Sequence, residues 1–169
     1  SELRDLGLES SSISRNISAI RALHKFLASE KKLKENVADE VMFPRAGKYL
    51  PTVLNQQEVE KLLDMPLHPK NPKQKFALRD KAILEFLYAT GVRVSELVGV
   101  RQQSLFLEAG FARILGKGSK ERLVPIGRSA IAAIENYQQS LRIRLITRES
   151  ADFLFLNARG KKLTRMAIY

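Results

Sequence analysis

Between Tyr88 and Arg128 the chain gathers the side chains best suited to chemistry on a phosphate. A helical pattern closes at Gly91, and Arg93 follows at once, carried just past a helix end. Between Gly110 and Arg128 stand five basic residues, Arg113, Lys117, Lys120, Arg122 and Arg128, against one acid, Glu121. They crowd around the tight turn Gly116-Lys117-Gly118-Ser119. This reads as half of a phosphate-chemistry site on a DNA-binding surface, with the other half expected beyond the last residue. The turn is not a nucleotide-binding P-loop. That loop needs four residues between its first glycine and Gly-Lys-Ser/Thr. Here five (FARIL) separate Gly110 from Gly116, and Lys117 is followed by glycine. The turn also joins strand to strand, whereas a P-loop opens a helix, so nucleotide hydrolysis is excluded.

Hydrophobic periodicity shows which elements must hold these groups. Residues 76–90 predict the most apolar helix: Phe76, Ile83, Phe86 and Leu87 share a face widened by Ala82 and Leu84, with Lys81, Glu85 and Tyr88 opposite. One further helical turn is expected over 94–98. The period then changes to short apolar runs at 104–107, 111–115 and 122–126, separated by Glu108-Ala109-Gly110 and by the basic turn, which predicts three antiparallel strands. Residues 128–146 are again helical. A short apolar stretch at 152–157 and a turn at Arg159-Gly160-Lys161 follow, and a further helix is expected from Leu163. Tyr88 and Tyr137 fall on helices as packing residues.

Upstream, residues 11–30 predict an amphipathic helix, with Ser10, Ser11 and Ser12 offering capping hydroxyls and Ile13, Ile17, Ile20, His24 and Leu27 forming one stripe. Its polar face has two readings: a solvated surface, or Ser12, Arg15 and Arg21 on DNA phosphates and base edges. Residues 41–52, with two prolines and a glycine, read as a linker whose Arg45 and Lys48 either follow a phosphate backbone or are simply solvated. Asn55 and Glu58 form a capping-box pattern that starts a helix to about Met65. Residues 66–75 read as an exposed, proline-punctuated loop; His68 lies there without a partner at metal-ligand spacing.

The 169 residues hold one medium domain, or one domain and part of another, with 44% hydrophobic residues to build a core of Leu, Ile, Val and Ala. A formal charge of +11 favours a polyanionic partner, nucleic acid before an anionic membrane. No stretch reaches the ~20 apolar residues of a membrane span. The lack of cysteine removes disulfides, thiolate nucleophiles and Cys-type zinc sites, and fits a cytoplasmic location.

The order ATGVRVSEL, hairpin, GKGSKERLVP resembles the first half of the catalytic domain of tyrosine recombinases of the phage integrase family, most closely the Xer type, the XerD-like bacterial enzymes. The SSSISRNISAIRALHKFLASE helix, the FP…LP linker and the LNQQEVEKLL helix fall where that family has counterparts, so the resemblance covers almost the whole chain. It implies an α+β fold, mainly helical, with a small three-stranded antiparallel sheet. Residues 1–46 would be the end of an N-terminal helical DNA-clamping domain, and 47–169 the first part of the catalytic domain.

The resemblance also implies a metal-free, cofactor-free strand exchange on double-stranded DNA through a 3′-phosphotyrosine, in a tetramer with itself or a related recombinase. Arg93 matches the family's first catalytic arginine and Lys117 its catalytic lysine. Glu96 falls where the family keeps a supporting carboxylate. Lys120 and Arg122 are then DNA contacts or structural partners of nearby acids. The family's His-x-x-Arg motif is absent, since the only histidines are His24 and His68. Tyr169, 76 residues after Arg93, comes much too soon to be the nucleophile. A piece of a longer enzyme, inactive by itself, is therefore expected. Chromosome-dimer separation is the leading role, with phage or transposon integration close behind. A non-catalytic DNA-binding protein on the same scaffold and a basic RNA-binding protein are the readings from other classes.

Overall fold

The computed structural model describes residues 7–44, 52–72 and 74–168, with Lys117 described by its backbone alone. Contacts divide the chain into two units, Ser1–Val53 and Leu54–Tyr169. Among the described residues no helix is long and apolar enough to cross a membrane.

In the first unit, α1 (Ser10–Ser29) buries Ile13 and Ile17, the first two positions of the expected stripe. Ile20 is 51% exposed, and His24 and Leu27 are half-buried. The expected serine caps do not form. The helix starts one residue earlier than the pattern suggested, so Ser11 and Ser12 already lie inside it, and Glu9 stands at the N-cap without a side-chain bond. Farther along, Ser14 and Ser18 donate back to the Ser10 and Ser14 carbonyls, each at 2.8 Å, the local bond a hydroxyl makes within a helix. A 3₁₀ turn, Val37–Glu40, follows.

In the second unit, α2 (Gln56–Asp64) opens with the expected capping box: the Asn55 side chain accepts the Glu58 N–H at 3.0 Å, and Glu58 accepts the Asn55 N–H at 2.8 Å. The following segment is more ordered than an exposed loop. It holds the 3₁₀ turns Met65–Leu67 and Gln74–Phe76, and Pro66 is buried.

The helix α3 (Ala77–Thr90) puts Ala82, Ile83 and Phe86 into the core and ends on Gly91 at φ 59°, the left-handed cap expected there. Two residues of its polar side depart from expectation. Glu85 is buried, because the Lys81 ammonium bridges it at 2.9 Å and Asp64 at 2.7 Å. Tyr88 does not pack but is 65% exposed.

After the single turn α4 (Val94–Leu97) come β1 (Leu105–Phe106), β2 (Phe111–Leu115) and β3 (Glu121–Pro125), an antiparallel sheet in sequence order. Ala112 and Ile114 point into the core while Phe111, Arg113 and Leu115 point out, the alternation a half-buried strand requires. Next, α5 (Arg128–Tyr137) packs on α3, then widens into a π-turn at Gln138–Arg142 before α6 (Ile143–Leu145). The helical path thus has nearly the expected length but carries a bulge.

Three buried polar side chains pin the segment after it. Arg142 Nε donates to the Leu154 carbonyl at 3.0 Å, Arg79 Nη1 donates to the Leu156 carbonyl at 3.2 Å, and the Tyr137 hydroxyl accepts the Leu156 N–H at 3.1 Å. Phe155 stacks on Tyr137 and meets Phe86 edge-on. Where a further helix was expected, the described chain closes with a 3₁₀ turn, Arg165–Ala167.

Candidate active site

Two elements build the site: the turn α4, reached directly from the buried helix α3, and the hairpin β2–β3. Arg93 is the residue before α4, in extended conformation at φ −70° and ψ 151°. Gly91 stops the preceding helix, and buried Val92 fixes the chain between them. The Arg93 side chain is 76% exposed. A guanidinium held on rigid backbone yet open to solvent is suited to meeting a ligand with little loss of side-chain freedom.

Glu96 lies beneath it, with its side chain 6% exposed. Its Oε2 accepts the Arg93 backbone N–H at 2.9 Å and its Oε1 accepts Arg93 Nη1 at 3.3 Å. From β3, Arg122 donates through both nitrogens, Nη1 to Oε1 at 3.0 Å and Nη2 to Oε2 at 2.7 Å. This paired geometry is the strong arginine–carboxylate form. The hydrogen bonds from Arg122, then that from the Arg93 N–H, hold the Glu96 carboxyl at about 2 against the opposing effect of burial. Glu96 is therefore a fixed anion and not a proton donor at neutral pH.

The hairpin turn sits directly against this pair. Gly118 at φ 73° and Ser119 at φ 57° are both left-handed, and the Gly116 N–H donates to the Lys120 carbonyl at 2.8 Å. Successive left-handed residues give the strong twist of a tight hairpin. Gly116 itself has ordinary extended backbone, and its missing side chain eases the packing: a Cβ there would stand 3.0 Å from Arg122 Nη1 and 3.6 Å from Glu96 Oε1. Sequence reading gives Gly116 no role beyond the turn, because this approach depends on tertiary packing. The Lys117 backbone follows immediately, while its side chain lies outside the described residues.

The remaining basic candidates are distributed differently. Lys120 is exposed on the turn. Arg113 faces outward on the sheet, 3.8 Å from Glu121. In the first unit Ser12 is half-buried and Arg15 exposed. Arg21 donates to the Ala38 carbonyl at 3.0 Å and to those of Asp39 and Val41 at 2.8 Å each, with its guanidinium over the Phe43 ring. In this structure it ties α1 to the segment that follows. Arg45, Lys48 and Tyr169 lie outside the described residues. Among the described residues no group of three or more His, Cys, Asp or Glu side chains comes together as a metal site would require.

The site therefore offers an open guanidinium, a buried carboxylate that restrains it, and a hairpin whose lysine-bearing turn begins beside that carboxylate. Comparison with known proteins points the same way. Residues 52–169 match the phage integrase family. The chain is 52% identical over 168 residues to the tyrosine recombinase XerD of Chlorobaculum tepidum, covering 99% of this chain and 55% of that protein. It thus spans about half the length of the curated relatives it matches. Among solved structures, it resembles XerH recombinase bound to a palindromic difH substrate in a post-cleavage complex, with TM-score 0.59 and 27% identity over 77% of this chain and 36% of that one. A lambda integrase dimer bound to a COC′ core site shares the fold at TM-score 0.71 and 14% identity, over 99% of this chain and 45% of that one.

Proposed function

Because the chain belongs to the phage integrase family, among the tyrosine recombinases, we propose that it supplies the first half of the catalytic centre of a site-specific DNA recombinase. The observation that carries this is the convergence of Arg93 and the hairpin turn on Glu96. In the proposed reaction a tyrosine hydroxyl, giving up its proton, attacks a backbone phosphorus. The tyrosyl O–P bond forms and the P–O5′ bond breaks. Arg93 holds the non-bridging oxygens, where negative charge accumulates; a permanently charged planar donor suits that task. Lys117 gives a proton to the departing O5′, which would otherwise leave as an alkoxide. Reversal on a new strand regenerates a phosphodiester, so neither a cofactor nor external energy is consumed.

The residues that complete this reaction are not in the 169-residue sequence: it has no His-x-x-Arg, and Tyr169 falls too close to Arg93. The 169 residues alone are thus proposed to bind DNA without cleaving it. The duplex partner is supported by the net charge of +11 and by the similarity to XerH site-specific recombinase bound to its palindromic difH substrate. Assembly as a tetramer, alone or with a related recombinase, is part of the same reading. So are a cytoplasmic location and a division into 1–46 and 47–169. The 52% identity to a XerD protein supports chromosome-dimer separation over mobile-element integration.

The decisive experiment substitutes Arg93→Ala in the full-length protein and measures covalent capture of a nicked site beside equilibrium binding. Capture is expected to fall by about a thousandfold, as when one transition-state donor is removed, with binding nearly unchanged. Equal loss of both would reduce Arg93 to a DNA contact.

A further inference from the structure

Arg122 stands opposite Ile114 of β2, with its side chain 41% exposed. Its guanidinium nevertheless turns to Glu96 and donates to both carboxylate oxygens. Each of those oxygens also receives a bond from Arg93, one from its side chain and one from its backbone. One buried carboxylate therefore fastens two elements that are 26 residues apart in sequence. Gly116, the residue before Lys117, lies against the Arg122 guanidinium, where an added Cβ would come within 3.0 Å of Nη1.

From this arrangement we infer that Arg122 is a positioning residue: through Glu96 it locks the root of the lysine-bearing hairpin to the turn that carries Arg93, so the backbone of Lys117 keeps one position relative to Arg93. This deepens the recombinase reading and rests on it. The alternative for Arg122 is direct contact with a DNA phosphate through the donors that Glu96 leaves free. A phosphate contact shows itself in affinity and salt dependence, whereas a positioning tie shows itself in cleavage. The bidentate geometry, shared with the bonds from Arg93 to the same carboxylate, favours the tie.

The test uses the full-length protein and two substrates carrying the same site, one with the natural 5′ bridging oxygen and one with sulfur in its place. A thiolate leaves without receiving a proton, so sulfur removes the need for a correctly placed lysine. Single-turnover cleavage is measured at saturating protein, and site affinity is measured across a salt series. Arg122→Met is expected to keep its affinity and salt slope and to lose about a hundredfold in cleavage of the oxygen substrate, the scale expected for displacement of a reacting group by about an ångström. The sulfur substrate should restore the share of that loss that passes through the hairpin. Arg122→Lys, which keeps one charged contact to Glu96, should fall between parent and Arg122→Met with the same substrate split. It decides the matter if the methionine variant fails to fold.

Unchanged cleavage with weaker binding and a salt slope lowered by about one would make Arg122 a phosphate contact and overturn the inference. An equal loss on both substrates would also overturn it, since the effect would then bypass the hairpin. Lys117→Ala on the same substrates tells the two levels apart. If sulfur rescues Lys117→Ala but not Arg122→Met, only the positioning role fails. If it rescues neither, the assignment of Lys117 as proton donor fails and the inference falls with it.

Discussion

Glu96 is the residue on which the site's electrostatics turn, and its ionisation has a consequence for stability. Its carboxyl is held at about 2, below its ordinary 4.5, so the folded state favours the anion more than the unfolded chain does. The stabilisation is complete above about 4.5 and is lost as pH falls through about 2. Glu96→Gln should destabilise the protein at neutral pH, because a neutral amide replaces the anion and one of its two atoms can no longer accept from the arginine donors. Thermal melts of both proteins from pH 6 down to 2 should converge toward the acid end, and a constant gap would mean that the Glu96 charge is not the source. Arg93 and Lys117 are legible in the sequence because glycines punctuate the chain beside each, at Gly91 and at Gly116 and Gly118. The Arg122–Glu96 pair is not, since nothing local distinguishes Arg122 from Lys120 before the hairpin's pairing register is known.

At the scale of elements, the segment around Phe153–Leu156 is held by bonds from α3, α5 and the π-turn rather than by membership of the sheet. Tyr137→Phe keeps the stacking on Phe155 but removes the oxygen that accepts the Leu156 N–H. A buried N–H left unpaired costs about 1–3 kcal/mol, read as a lowered denaturation midpoint with an unchanged slope. A neutral result would mean that the N–H finds another acceptor. Most of the elements were readable from periodicity and turn chemistry: the Asn55–Glu58 box, the Gly91 cap and the three strands. The misreadings share a cause. Ser10–Ser12, Glu85 and Tyr88 are polar or amphipathic residues whose burial depends on where a helix starts or what lies across from it. The two buried arginines, 79 and 142, were equally hidden, because an arginine within a helical pattern looks solvated until a carbonyl is found for it.

For the whole molecule, the charge of +11 sets how binding responds to salt. If the duplex is the partner, the logarithm of the binding constant should fall linearly with the logarithm of salt concentration, by about 0.9 for each phosphate neutralised. A slope of several is expected for the full-length protein in a fluorescence titration; a slope near zero would sink the nucleic-acid reading. Sequence composition made this global property plain, and the division into two contact units much less so. The π-turn at Gln138–Arg142 carries one last implication, for tolerance to changes in length. Such a bulge is an α-helix with one residue too many. Losing a single codon within it would restore regular winding while leaving the turns on either side in register, so Arg142 would still face the carbonyls it serves. A one-residue deletion there should therefore be tolerated, whereas a one-residue insertion should swing Arg142 about 100° around the axis and away from Leu154.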